Sequence, residues 1–132
     1  MQAKSSFKYF YFSCSRTNEK VVLVDDSIVR GTTSKKIVNS MKSAGAKEVH
    51  MRISSPPFRH TCNYGTDIDS EENLIANRMG LDKIRDKIGA DSLGYISMEG
   101  LKQACGKCAL SFCTACFTGS GATVRTKKDV FE

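Results

Sequence analysis

The stretch VVLVDDSIVRGTTS, residues 21–34, limits the possible folds of this chain more than any other. The apolar run at 20–24 predicts a strand buried on both faces, as strands of parallel sheets are. Residues 33–44 repeat apolar side chains at helical spacing, and residues 48–54 alternate apolar and polar side chains as a second strand does. Residues 20–54 therefore predict a strand–helix–strand unit of a parallel sheet, and so an α/β fold.

The rest of the chain predicts shorter elements, followed by a segment rich in cysteine and glycine. We expect helices at 71–79 and 81–88, a strand at 92–97 and a helical turn or two at 98–105. Ser70 is placed to cap the first of these helices. We divide the chain into an unmatched N-terminal segment, a domain and a loosely ordered tail, at 1–17, 18–119 and 120–132.

Two adjacent carboxylates, Asp25 and Asp26, stand where the first strand ends. Ligands of open α/β sheets bind at this carboxyl end, and the start of the next helix offers N–H groups and a partial positive charge to a phosphate. Gly31 lets the backbone approach an anion closely. Carboxylates suit sugar hydroxyls or hydrated Mg²⁺. The pattern therefore predicts a site for a phosphorylated sugar, and the alternative is an Asp-rich loop that only caps a helix.

The same string resembles the phosphoribosyl-pyrophosphate (PRPP) motif of type I phosphoribosyltransferases, and more narrowly that of the amidophosphoribosyltransferase family. The resemblance covers residues 20–119 and continues through GAKEVHMRISSPP, YGTDI, ENLIANR, IGADSLGYIS, EGL and CTACFTG. It implies the parallel-sheet type I phosphoribosyltransferase fold, here incomplete, with a C-terminal part of helices and loops that contains cysteines.

The resemblance also implies roles for individual residues. Asp25 and Asp26 would hold the ribose hydroxyls and the Mg²⁺ on the pyrophosphate, and Val29 to Thr33 would cradle the 5-phosphate. The implied substrate-binding residues are Asp25, Asp26, Ser27, Val29, Arg30, Gly31, Thr32 and Thr33. The implied reaction is displacement of pyrophosphate from PRPP by glutamine-derived ammonia, which gives 5-phosphoribosylamine in the first step of purine (IMP) synthesis. Positioning and Mg²⁺ would stabilise an oxocarbenium-like transition state.

Six cysteines are many for a chain without a recognisable secretory signal, so metal or cluster binding is favoured over a disulfide scaffold. The resemblance implies that Cys62, Cys113 and Cys116 bind a 4Fe–4S cluster. The fourth ligand in the family lies upstream of the PRPP motif, and no matching cysteine stands there in this chain.

Cys105 and Cys108 form a second Cys-x-x-Cys pair, which together with the later pair would allow one zinc ion at a spacing tighter than usual. Ordinary thiols are the alternative for both, and the preferred interpretation of Cys14. A zinc-bound nucleic-acid module at 105–116 is a further hypothesis, but only two aromatic residues stand near those cysteines to stack on bases.

The net charge of +6 and the pI of about 9.1 suit anionic partners. The basic residues are scattered, which is more typical of a solvated surface than of a nucleic-acid-binding face. No apolar run approaches the ~18 residues of a membrane-spanning helix. We predict a cytoplasmic protein without nucleic-acid or membrane partners. By the resemblance, its partners are PRPP, purine nucleotides as feedback ligands, and further copies in a homo-oligomer (a tetramer in the full-length family).

Two functions remain open at this point. The first is a C-terminal fragment of an amidophosphoribosyltransferase, a pentosyltransferase of the glutamine amidotransferase family. Such a fragment would lack the glutaminase half, hold no catalytic residue of its own and be inactive alone. The second is a non-catalytic PRPP-binding regulatory module. The blocks after residue 55 favour the enzyme. We expect the strand at 20–24 to be central in its sheet, and if upstream strands are missing, its neighbours would expose apolar edges. We expect His50 and His60 to be structural.

Overall fold

The computed structural model describes residues 18–62, 70–106 and 112–119, and the expectations for the two chain ends fall outside that part. The strands are β1 (Lys20–Asp25), β2 (Glu48–Ile53) and β3 (Ser92–Tyr95). The helices are α1 (Thr32–Ser43), α2 (Ile75–Arg78), α3 (Leu81–Ile88), α4 (Met98–Cys105) and α5 (Ala115–Thr118), with a 3₁₀ turn at Glu71–Asn73. Among these described helices, none is long and apolar enough to cross a membrane.

The three strands form one parallel sheet in the order β1-β2-β3. At the end of the sheet, Asp25 lies opposite Ile53 and Ile53 lies opposite Tyr95. This register brings all three carboxyl ends to one edge, which is where open α/β sheets bind their ligands. The predicted α/β fold with a parallel sheet is confirmed.

An apolar cluster joins the sheet to α1 and α3. Val49 and Met51 of β2 and Ile88 of α3 are completely buried in it. Burying each such side chain contributes about 1.5–3 kcal/mol, so this cluster is the main source of stability in the described region. A smaller cluster of Phe58 and Leu74 lies beneath the loop that follows β2.

One prediction about β1 is wrong. The apolar run predicts a strand buried on both faces, but Val22 is 61% and Val24 is 75% exposed, while Val21 and Leu23 are partly buried. Within the described part of the chain, β1 is an edge strand because it pairs with β2 alone. An apolar run cannot by itself distinguish a strand covered on both faces from one covered on a single face. The expectation that this strand is central in its sheet is also wrong for the described residues, because β1 stands at the end of the order β1-β2-β3.

The predicted helix at 71–79 is interrupted. The 3₁₀ turn and α2 are separated at Leu74, whose φ of −73° and ψ of 116° are extended. Leu74 is completely buried with Phe58, so packing of this side chain prevails over the helical propensity of its neighbours. Ser70 stands at the predicted cap position, but its side chain makes no capping hydrogen bond.

The predicted strand at 92–97 is shorter than expected. It ends at Tyr95, and Ser97 instead begins the next helix. The hydroxyl of Ser97 accepts a hydrogen bond from the backbone N–H of Gly100 at 3.0 Å, which is the usual role of serine at a helix start.

Candidate functional site

The ligand loop, defined here as residues 25–33, links the end of β1 to the start of α1. Ile28 is 2% exposed and anchors the middle of the loop in the main core. The carbonyl oxygen of Val29 accepts a hydrogen bond from the backbone N–H of Ile75 at 2.8 Å, which ties the loop to α2. These contacts leave four of the predicted site residues exposed at the sheet edge: Asp26, Arg30, Thr32 and Thr33.

The two adjacent carboxylates of the ligand loop differ in their surroundings. The carbonyl oxygen of Asp25 accepts hydrogen bonds from the backbone N–H of Ser54 at 2.9 Å and from its hydroxyl at 3.2 Å, which fixes the end of β1. Burial raises the pKa of the Asp25 carboxyl, and the negative charge of Asp26 raises it further. The hydrogen bond that this carboxyl accepts from the Asp26 N–H lowers the pKa and so acts in the opposite direction. Asp26 is exposed and accepts a hydrogen bond from the Ser27 hydroxyl at 3.4 Å. Adjacent like charges are stabilised by a cation or by hydroxyl donors, so the pair suits a metal-bound sugar.

Gly31 is required by the shape of the ligand loop. Its φ is +79°, and a Cβ at this position would lie 2.8 Å from Cδ1 of Ile75. The three hydroxyl residues at 32–34 suggest from the sequence that one of them caps α1, but none of them stands at the cap position. Gly31 occupies the cap position and has no side chain with which to cap, and α1 begins at Thr32. The N-cap residue therefore offers no side chain to the first-turn N–H groups, and with Thr32 and Thr33 exposed this helix start is a suitable place for a phosphate.

The predicted substrate-binding residues thus form one continuous loop at the carboxyl edge of the sheet. Sequence reasoning missed the two apolar residues that shape it, Ile28 and Ile75. The two apolar residues Ile28 and Val29 inside a loop of mostly polar residues were an available signal for Ile28. Ile75 offers no such signal, because it is distant from the loop in sequence and meets it only in the fold.

A cavity of about 390 Å³ lies outside the ligand loop. Arg59, Arg78 and Tyr95 are among the residues that line it. Burial raises the pKa of Tyr95 to about 12, and its buried hydroxyl has no hydrogen-bond partner within the described residues. No residue of the ligand loop lines this cavity. The ligand loop therefore lies on an open surface at the sheet edge. The predicted sugar-phosphate site does not coincide with this cavity.

The thiol junction, the second candidate region, joins residues 58–62 to residues 112–119. The ring centroids of Phe58 and Phe117 are 5.0 Å apart. The two backbone N–H groups that follow Phe58 both donate to the carbonyl oxygen of Cys116, at 2.9 and 3.0 Å. The loop after β2 is therefore held against α5 by both apolar and polar contacts.

Cys62, Cys113 and Cys116 meet in the thiol junction. Cys62 and Cys116 are partly buried against the cluster of Phe58 and Leu74, while Cys113 is exposed. Burial raises the pKa of the Cys116 thiol, and the neighbouring Cys62 and Cys113 raise it further. The structure thus places Cys62 and Cys116 against the same cluster, with Cys113 three residues before Cys116, and their role as metal ligands stays a prediction.

Thiols are suitable ligands for a soft metal or an iron–sulfur cluster, and two of the three, Cys62 and Cys116, pack against the same apolar cluster. Among the residues that the structure describes, no group of three or more cysteine, histidine or acidic side chains already has the spacing of a metal site. Cys105 lines a separate, mainly apolar cavity of about 310 Å³ together with Cys113. Cys14 and Cys108 lie outside the described residues, so the four-cysteine zinc site stays a prediction.

Comparisons with known proteins show what the chain is similar to. No protein-family model matches the chain. The chloroplastic amidophosphoribosyltransferase 2 of Arabidopsis thaliana is 60% identical over 101 residues, which cover 76% of this chain and 18% of that protein. The amidophosphoribosyltransferase of Bacillus subtilis is 50% identical over 109 residues, which cover 80% of this chain and 23% of that protein. The chain is therefore homologous to a segment of the amidophosphoribosyltransferases.

Solved amidophosphoribosyltransferase structures agree in fold with this chain. The glutamine PRPP amidotransferase from B. subtilis, complexed with ADP and GMP, gives a TM-score of 0.73 at 44% identity, over 86% of this chain and 27% of that one. A structure described as the allosteric regulatory enzyme of purine biosynthesis gives 0.72 at 45% identity, over 86% and 26%. The chain spans well under a third of each protein that it matches here.

Proposed function

We propose that this chain supplies the PRPP-binding part of an amidophosphoribosyltransferase, which forms 5-phosphoribosylamine from PRPP and glutamine-derived ammonia at the start of purine synthesis. The observation that carries the proposal is the ligand loop, in which two adjacent carboxylates at the end of β1 precede an uncapped helix start. Its conformation requires a positive-φ glycine pressed against Ile75. A loop that only capped a helix would need neither feature.

The proposed roles follow the layout of the ligand loop. The N–H groups of residues 29–33 bind the 5-phosphate, assisted by the partial positive charge at the start of α1. The carboxylates of Asp25 and Asp26 bind the ribose hydroxyls, and the Ser27 hydroxyl orients the second of them. Mg²⁺ held by these carboxylates would neutralise charge on the departing pyrophosphate. The loop therefore contributes by positioning the sugar, and no residue of the described chain is assigned a proton-transfer role.

The thiol junction has a structural role in this proposal. Cys62, Cys113 and Cys116 would bind a 4Fe–4S cluster at three corners, with the fourth ligand unassigned, and the cluster would cross-link the loop after β2 to α5. Purine nucleotides as feedback ligands and assembly into a homo-oligomer are proposed on the same family basis, supported by the ADP and GMP in the B. subtilis complex. The proposed compartment is the cytoplasm, although the Arabidopsis relative is named chloroplastic.

The test is a calorimetric titration of the chain with PRPP in the presence of Mg²⁺. Asp25→Asn and Asp26→Asn should each weaken binding at least about ten-fold, since each removes one charge from the contacts to the metal and the ribose. The matched control is Asp82→Asn on α3, where the carboxylate is exposed and pairs with Arg85 at 3.0 Å. Unchanged affinity in both loop variants would contradict these roles, and absence of PRPP binding by the parent chain would reject the sugar-phosphate site.

A second measurement addresses the regulatory-module alternative. Release of pyrophosphate from PRPP is followed with ammonia supplied directly, so that no glutaminase is needed. Ammonia-dependent release above the level of the Asp26→Asn variant would reject a purely regulatory role for the chain.

A further inference from the structure

The imidazole of His60 connects two segments of the thiol junction. Nδ1 donates a hydrogen bond to Oε1 of Glu71 at 3.0 Å, because a carboxylate can only accept. Around the other nitrogen the ring approaches Gly119, which follows α5. A Cβ at Gly119 would lie 2.8 Å from Nε2 and 3.1 Å from Cε1, and the φ of this residue is +72°. Only glycine allows the ring to come so close to the end of α5.

The backbone beside His60 is fixed at the same place. The N–H groups of Arg59 and His60 both donate to the carbonyl oxygen of Cys116. The side-chain amide of Asn77 donates to the carbonyl oxygen of Arg59 at 2.7 Å, which ties the loop to α2 as well. The imidazole stands two residues before Cys62, and its glycine neighbour stands three residues after Cys116.

We propose that His60 is the positioning residue of the thiol junction, and that Gly119 is the seat against which its ring packs. The ring spans the distance from Glu71 to the end of α5, so it sets how closely the loop that carries Cys62 approaches the helix that carries Cys116. The inference rests on the proposed function of these thiols as ligands of a soft metal. Residues that orient metal ligands in this way typically change metal affinity 10- to 100-fold when they are replaced.

The first test uses Co²⁺ alone, added to the reduced full chain without oxygen, because thiolate-to-cobalt absorption reports ligation directly. His60→Ala should weaken Co²⁺ binding about ten-fold or more. His60→Asn, whose amide can still donate to Glu71, should recover most of the affinity. The matched control is His50→Ala, since His50 also contacts a glutamate, Glu48 at 3.1 Å, but within β2. Equal affinity of His60→Ala and the parent chain would overturn the proposal.

Gly119→Ala tests the seat. Its methyl group would meet the His60 ring, so Co²⁺ binding should weaken as it does in His60→Ala. The control is Gly106→Ala, where φ is +61° but a Cβ would find no heavy atom within 4 Å, and binding should stay within about two-fold of the parent. In the double variant His60→Ala/Gly119→Ala, the second change should add less than about two-fold, because the ring it would meet is gone. If the two substitutions weakened Co²⁺ binding by fully multiplicative factors, His60 and Gly119 would act separately. The proposal that the His60 ring packs against Gly119 would then be wrong.

A metal-free measurement separates this inference from the proposed function. Alkylation by iodoacetamide, followed at Cys62 and Cys116 by peptide mass spectrometry, reports how closed the junction is. His60→Ala should raise the rate at Cys116 about five-fold or more, while His50→Ala leaves it unchanged. If the parent chain binds no Co²⁺ but shows this difference, the metal role of the thiols fails and the positioning role of His60 stands. If the rates are equal, the positioning role fails whatever the metal result.

Discussion

The ligand loop follows β1, and one segment of the thiol junction follows β2 of the same sheet, but the two regions are assembled differently. The ligand loop is one continuous segment, residues 25–33. Its own Ile28 is buried in the main core, and Ile75 of α2 packs against Gly31. The thiol junction joins residues 58–62 to residues 112–119, with the Phe58 and Leu74 cluster beneath them. A continuous loop keeps its polar residues adjacent in any fold, whereas the thiols become neighbours only through long-range packing.

The two regions share an electrostatic property. Burial raises the pKa of the Asp25 carboxyl in one and of the Cys116 thiol in the other, and like-charged neighbours add to both effects. In each region the charged form is therefore disfavoured until a counter-charge arrives. A bound cation would relieve this in both, which agrees with the proposed Mg²⁺ at the one and the proposed soft metal centre at the other.

The largest expected effect tests how much the packing of Ile75 against Gly31 contributes to the stability of the ligand loop. Gly31→Ala should lower the free energy of unfolding by about 3 kcal/mol, because it adds both backbone strain and a 2.8 Å contact with Ile75. The matched control is Gly89→Ala, with a φ of +80° but its nearest contact at 3.8 Å, which should cost about 1 kcal/mol. Urea denaturation measures both. Equal losses would mean that packing under the loop contributes nothing.

The next effect tests whether the thiol junction depends on its apolar contacts. Phe58→Ala should lower the free energy of unfolding by about 2 kcal/mol, less than a substitution in the main core, because the cluster is small. It should also speed alkylation of Cys116, since burial is the main cause of the raised pKa of that thiol. Phe112→Ala, at a side chain that is 57% exposed, is the control and should change stability by less than about 0.5 kcal/mol. An unchanged Cys116 rate in Phe58→Ala would show that the Phe58 and Leu74 cluster does not shield the thiol.

The smallest effect concerns the pH dependence of stability at the ligand loop. In the folded chain the pKa of Asp25 is raised above its ordinary value of 3.8. The protonated carboxyl therefore contributes to the free energy of unfolding at pH values below 3.8, and this contribution is lost as the pH rises through the pKa of the folded state. Asp25→Asn should therefore stabilise the chain slightly at pH 7, by less than about 0.5 kcal/mol given its exposure, while weakening PRPP binding. Thermal unfolding between pH 3 and pH 7 measures the difference.

Asp91 has a lowered pKa, in contrast to Asp25, and the same pH series tests it. Its pKa is lowered, chiefly by the hydrogen bond at 2.7 Å that its carboxylate accepts from the Val49 N–H. Its contribution is present above the ordinary pKa and is lost as pH falls through the folded one. Asp91→Asn should thus destabilise the chain by about 1 kcal/mol at pH 7, and the loss should shrink in acid. Asp25 is a carboxylate disfavoured by burial, and Asp91 is one stabilised by a hydrogen bond. If Asp25→Asn and Asp91→Asn changed the free energy of unfolding at pH 7 with the same sign, this contrast would be wrong.

The sequence by itself determined the α/β class, the strand–helix–strand unit and the place of the ligand loop. These features depend on hydrophobic periodicity and on residues that are adjacent in the chain, such as Asp25, Asp26 and Gly31. The resemblance to a known family indicated which cysteines to consider. Their convergence in the described residues could not be derived from Cys-x-x-Cys spacing, since Cys62 is distant from the other two in sequence.

Only the tertiary structure decided the rest. It exposed Val22 and Val24 on an edge strand, broke the helix at Leu74, and placed Ile75 under Gly31. It also brought His60 against Gly119, with Cys62 close to Cys116. The physical reason is the range of the interactions: backbone sterics and side-chain periodicity act within a few residues, whereas burial and close packing are settled between segments that meet only when the whole domain folds.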